Sequence, residues 1–238
     1  MSMPVGVSGH RGLRVALAAV GALVVLFALA QLLLPKLAAK RVSDRVARYG
    51  TVRHVSVSAW PAVELIWGKA DSVSVSANTL TATPAQIASL LQEAHNVDDL
   101  TVTTDRASLR VPSIPNGLTL NDVHMQKRGS AIQASATLTQ QQLDEALPNG
   151  FHVEPVASAA GQVEVRASGG LFGLQASIDA LVKPLEGRLV AEPQGFPFAG
   201  IATVTLFSDP HLTVESVAVR VQGRQPLSYG LSLRASLR

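Results

Sequence analysis

Residues 71–77 read DSVSVSA. Val73, Val75 and Ala77 alternate with Ser72, Ser74 and Ser76, a period of two that puts the apolar side chains on one face of a strand and the serines on the other. Upstream, the same period starts at Thr51 and runs through Val52, His54, Val55, Val57 and Ala59 to Trp60-Pro61. The segment between, Trp60 to Asp71 (WPAVELIWGKAD), holds a Pro, a Gly and both tryptophans, so it reads as a connection or short helix. Downstream, Thr83-Pro84 opens a helix, with Thr as N-cap, Pro at the first helical position and Ile87, Leu90, Leu91 and Ala94 on one face. Alternating runs follow at 100–104, 107–111, 118–126 and 131–138, with a hairpin turn by composition at Lys127-Arg128-Gly129-Ser130. A second short helix starts after Thr139 and stops at Pro148. Six more strands are expected near 162–167, 175–181, 188–191, 201–207, 212–222 and 227–237. Ser76–Leu91 and Ser135–Leu147 echo one another as strand, Thr, short helix. Many strands at hairpin spacing with two short helices describe an antiparallel α+β architecture.

The composition fits that reading. The chain has 238 residues, 47% hydrophobic, 16% charged and 4% aromatic, with a formal net charge of +3. Several basic residues sit beside the N-terminal apolar run, which leaves the rest nearly neutral and without the basic face that a nucleic-acid binder needs. There is no cysteine, which removes disulfides, zinc–thiolate sites and cysteine nucleophiles.

Val15 to Leu34 reads VALAAVGALVVLFALAQLLL, apolar on all faces and long enough to cross a bilayer as a helix. Arg11 and Arg14 precede it. It is read as a signal anchor that keeps the domain outside the cytoplasm, or as a signal peptide cleaved after Ala28-Leu29-Ala30 with the domain secreted. Lys36, Lys40, Arg41, Arg45 and Arg48 follow it and outnumber the preceding charges, which opposes that orientation. Part of this charge has another use. Leu37, Ala38, Val42, Val46 and Tyr49 recur at helical spacing between the basic residues, as in an amphipathic helix lying on anionic head groups. The expected divisions are a basic region 1–14, the transmembrane helix or signal peptide 15–34, a juxtamembrane helix 35–50 and a β-rich domain 51–238.

Catalytic patterns are scarce. There is no nucleophile elbow, P-loop, dinucleotide fingerprint or paired-histidine zinc motif. The histidines (His10, His54, His95, His124, His152, His211) are scattered, and Asp209-Pro210-His211 reads as a turn. No cofactor, metal site or catalytic residue is expected. What remains is apolar: Trp60, Val63, Ile66 and Trp67 around the Trp-Pro corner, the helical face Ile87 and Leu91, Phe172 and Leu174 in a Gly-bracketed cluster, and Phe196 and Phe198 in GFPFAG. These are the candidate lipid-contacting residues. Lys69, Lys127 and Arg128 near turns are the candidate head-group residues.

Pro61 followed by Gly68-Lys69 and Asp71-Ser72-Val73-Ser74-Val75, then Ala134–Thr139 leading into Leu143, then Gly195-Phe196-Pro197-Phe198 occur in a recognisable order. From about Thr51 to Arg238 the chain resembles the LmeA-like phospholipid-binding family of actinobacterial envelopes, with Trp60 where the pattern has Phe or a Leu-like residue. The resemblance implies a non-catalytic envelope protein that binds a phospholipid such as phosphatidylinositol. It implies a role in lipid transfer or glycolipid assembly, with 51–238 as the lipid-binding domain. It also implies a curved antiparallel sheet wrapped around a helix, as in tubular lipid-binding folds. Two alternatives stay open: an adaptor domain that binds a membrane-protein partner through the same apolar clusters, and a hydrolase whose site converges only on folding. Oligomeric state is not legible.

Overall fold

The Val/Ser alternation of 72–77 is the centre of β2 (Ala70–Ala82), which pairs antiparallel with β1 (Gly50–Ser58) so that Val75 faces Val55 and Val73 faces Val57. The computed structural model describes residue 27 and residues 30–111, 114–148, 150–171, 174–195 and 203–238, without the side chains of Leu171, Leu174 and Gln175. Most of the expected span 15–34 therefore lies outside the described residues, as do Phe172, Phe196 and Phe198 and the Leu174 side chain. Among the described residues no helix is long and apolar enough to cross a membrane. A helix over residues 30–46, α1, leads into β1 and carries Pro35 without ending there.

The remaining strands are β3 (Val97–Leu109), β4 (Leu118–Arg128), β5 (Ala131–Thr139), β6 (Phe151–Ala159), β7 (Gln162–Leu171), β8 (Leu174–Leu185), β9 (Arg188–Pro193), β10 (Val204–Phe207), β11 (Leu212–Arg224) and β12 (Leu227–Leu237). They form two open sheets among the described residues. The large sheet has the order β1-β2-β3-β4-β5-β12-β11, the small one β10-β9-β8-β7-β6. One pair departs from the expected antiparallel arrangement: β2 and β3 are parallel. The chain returns to the start of the sheet through α2 (Pro84–Glu93), the crossover that a parallel pair requires. The two runs expected at 100–104 and 107–111 are one strand, β3.

The sequence echo is real at the caps. Thr83 starts α2 and Thr139 starts α3 (Gln140–Ala146), each with a capping box closed by the Gln three residues on, Gln86 and Gln142. The expected connection 60–71 is a 3-10 turn, Ala62–Trp67, ended by Gly68 in the left-handed region at φ 73°.

The core lies on one face of the large sheet. Val73 and Val75, Leu100, Ile132, Leu212 and Ala235 come from five of its strands. They bury against Ala88 and Leu91 of α2, with Val42 and Val46 of α1 and Leu65 of the 3-10 turn packed alongside. A second cluster, Ala107, Leu120, Ala136, Leu138 and Tyr229, continues along the sheet to Leu143 of α3. On β5 the inward residues Ile132, Ala136 and Leu138 keep one parity. On β4 the inward set changes from Leu118 and Leu120 to Val123, Met125 and Lys127, across a register shift next to Asp122 at φ 50°. That irregularity keeps both clusters on one face of the strand.

β11 is an edge strand, and an unpaired edge invites association. Here the turns of the small sheet close it. The Val214 N–H donates to the Gly187 carbonyl (2.9 Å) and the Val217 N–H to the Gly161 carbonyl (3.0 Å). Gly161 is a glycine of necessity. Its φ is +76°, and a Cβ there would stand 2.9 Å from the Ser216 Cβ.

Candidate functional site

The small sheet sorts its side chains sharply. Residues directly opposite in an antiparallel pair share a face. Across β7 and β8, Val163 opposes Val182, Val165 opposes Ala180 and Ala167 opposes Ile178. The same face continues onto β6 through Val153 and Pro155, opposite Ala167 and Val165. It continues onto β9 through Ala191 and Pro193, and onto β10 through Val204. Among the described residues no charged side chain lies on it. The reverse face holds Glu164, Arg166, Asp179, Lys183 and Glu192. Arg166 Nε donates to Asp179 Oδ1 at 2.8 Å, and Lys183 pairs with Glu192. The hydrogen bond to Arg166 holds the Asp179 carboxyl below its usual range and lifts the guanidinium above its own.

An apolar face with a polar reverse normally marks a core, but this one is open in part. Phe151 is 46% exposed, Ile178 39% and Val204 47%, Val165, Ala167, Ala180 and Val182 are half-buried, and Val163, near the large sheet, is 2% exposed. Phe207, opposite Leu189 on the apolar face, packs against the main core. The open face is therefore continuous with the covered face of the large sheet.

Among the expected site residues whose side chains are described, none lies on it. Leu91 is buried in the core beneath α2, and Ile87 packs against that core. Val63 is half-buried. Trp60, Ile66 and Trp67 stand on the surface, at 73%, 66% and 67% exposure, around the 3-10 turn. Lys69 and Arg128 are exposed, the latter 3.6 Å from Asp99. Lys127 is 1% exposed, with its Nζ donating to the Val97 carbonyl at 2.5 Å. Burial pushes its ammonium pKa down against the pull of Asp98 and Asp99. A phosphate reaching Lys127 would have to displace packed sheet residues.

The open-face residues Val153, Val165, Ala167, Ile178, Ala180, Val182 and Val204 were not among the expected ones. Their signal was present as alternation in QVEVRAS and QASIDALV, but alternation does not say whether a face is covered.

Histidines meet acids at two places. His152 Nδ1 lies 2.7 Å from Asp144 Oδ1. Gln140 donates to Asp144 Oδ1 (2.9 Å) and to the Val153 carbonyl (2.8 Å), and the buried Tyr229 hydroxyl donates to Gln140 Oε1 (2.6 Å). Burial raises the Tyr229 pKa. This network ties α3 to β6 and β12. His211 Nδ1 lies 3.5 Å from Asp209. Among the hydrogen bonds of the described residues, neither imidazole has a serine or threonine hydroxyl partner. Among the described residues no three His, Asp or Glu side chains gather in a metal-binding group.

One family model, described as LmeA-like phospholipid-binding, matches residues 28–238. No curated protein and no solved structure matches the chain.

Proposed function

The chain belongs to the LmeA-like phospholipid-binding family, and on that premise we propose that it holds the acyl chains of a phospholipid against the open face of the small sheet. One observation carries the reading: a five-stranded apolar face, backed by ion pairs, is left at 39% to 47% exposure at Phe151, Ile178 and Val204. From Ala176 to Val182, β8 runs about 20 Å at strand rise, longer than the roughly 15 Å of hydrocarbon in one leaflet. A face of that length suits an extended acyl chain, and among its described residues none carries a charged side chain. The protein then acts as a carrier in lipid transfer at the cell envelope, with no covalent step. An anionic lipid such as phosphatidylinositol is its candidate cargo. The apolar segment 15–34 tethers the domain on the outer side of the membrane, within reach of its lipid. Protease accessibility in intact cells tests that side.

The binding test keeps the whole chain, because Val42 and Val46 of α1 belong to the core. A phospholipid with a photoreactive group in its acyl chain is incubated with the full-length protein and irradiated, and the labelled peptides are identified. Labels on β7, β8 and β9 support the reading. Labels confined to residues before β1 would overturn it.

A further inference from the structure

α1 lies against the covered face of the large sheet, with Val42 and Val46 packed on its core. Near its C-terminus the Thr81 N–H donates to the Tyr49 carbonyl at 2.6 Å. At the other end the Phe27 ring meets the Trp60 ring edge-to-face, with centroids 6.4 Å apart. The exposed residues of α1 change character along its length. Leu32, Leu33 and Leu37 stand out near the Trp60 end. Lys36 is exposed between Leu33 and Leu37, Lys40, Arg41 and Arg45 are exposed beyond them together with Asp44, Arg48 follows the helix, and Arg45 also pairs with Glu93 of α2.

The 3-10 turn beside this apolar end is built to hold its large side chains outward. Ala62 is fully buried, Leu65 packs on the core, and the Trp60 N–H donates to Asp71 Oδ2 at 2.7 Å. Between these anchors Trp60, Ile66 and Trp67 project, and Lys69 follows them. A rigid turn with outward tryptophans, next to outward leucines and followed by basic residues, has the layering of a membrane interface: apolar chains deepest, indoles at the boundary, cations among phosphates. Phe27 and Leu32–Leu34 are described residues of the apolar run 15–34.

We propose that Trp60, Ile66 and Trp67, with Leu33 and Leu37, dock into an anionic phospholipid bilayer and fix the orientation of the domain on it. This surface is separate from the open face of the small sheet, so docking stands whether or not that face carries lipid.

The chain has two tryptophans, Trp60 and Trp67, so its intrinsic emission reports the turn without a label. The full-length protein is reconstituted into vesicles of phosphatidylcholine and phosphatidylglycerol, with part of the phosphatidylcholine brominated high in its acyl chains. Docking gives blue-shifted emission, strong quenching by the brominated lipid and weak quenching by aqueous acrylamide. Water-like emission, quenched by acrylamide and not by brominated lipid, overturns it. Trp60→Phe and Trp67→Phe, each leaving one reporter, must both show the lipid quenching. Lys69→Glu should weaken quenching in the mixed vesicles and leave it unchanged in phosphatidylcholine alone; equal loss in both contradicts the assignment of Lys69 to the phosphate layer. Ile178→Asp should leave the quenching intact. Loss of quenching with photolabelling of β8 retained sinks the docking alone.

Discussion

The two sheets present apolar faces of the same make, and they meet different fates. On the large sheet, Val73, Val75 and Leu100 are covered by α1, α2 and the 3-10 turn and are less than a tenth exposed. On the small sheet, Ile178 and Val204 are 39% and 47% exposed. An uncovered apolar face of this extent has a standing cost in water, and the polar reverse shows that the pattern is ordered. The difference separates stability from the proposed function: the covered face holds the fold together, and the open one is where we propose that the lipid lies.

Mutations that break the covered face should be the most damaging. Leu91→Ala leaves a cavity beneath α2 and should cost about 2–5 kcal/mol in denaturant unfolding, while photolabelling of β8 in the surviving folded protein is unchanged. Thr83→Ala removes the capping box of α2, the helix that lids this face, and should cost about 1 kcal/mol. Equal losses from Thr83→Ala and Thr139→Ala would show that coverage by α2 has no special weight.

Lys127 tests the covered face by charge. Its folded pKa lies below its unfolded value, so protonation favours the unfolded chain. The wild type should gain stability as pH rises from below the folded pKa towards the unfolded value near 10.5. Lys127→Met lacks that dependence and should be about 1 kcal/mol more stable near neutrality. Unfolding midpoints measured from pH 7 upward would show the wild-type curve approaching that of the variant.

The smallest effect on stability is expected on the open face. Ile178→Asp should change unfolding by about 0.5 kcal/mol or less, as at an ordinary surface position.

The sequence carries part of this contrast. Alternation located the strands other than β6, whose period breaks at the shift after Pro155, and Thr83-Pro84 and Thr139 marked both helices because the cap chemistry is local. Period two says nothing of strand direction, so the parallel β2–β3 pair needed the structure. Parity could have placed Lys127, since Val123, Met125 and Lys127 share a face, yet its neighbourhood to a turn made it look like a surface cation. Trp60 and Trp67 were legible as functional candidates by being apolar in a connection, but not by where they point. The open face was the least legible. SVSVSA and QVEVRAS follow the same rule, and only the packing of distant helices decides which is covered.

The central claim is that the open face holds acyl chains, and Ile178→Asp tests it most directly. Wild type and variant, both full length, are labelled with the photoreactive phospholipid under the same conditions. The expected result is wild-type labelling of β7 to β9 that Ile178→Asp abolishes without change in the unfolding midpoint. Equal labelling of the two proteins on these strands would contradict the claim.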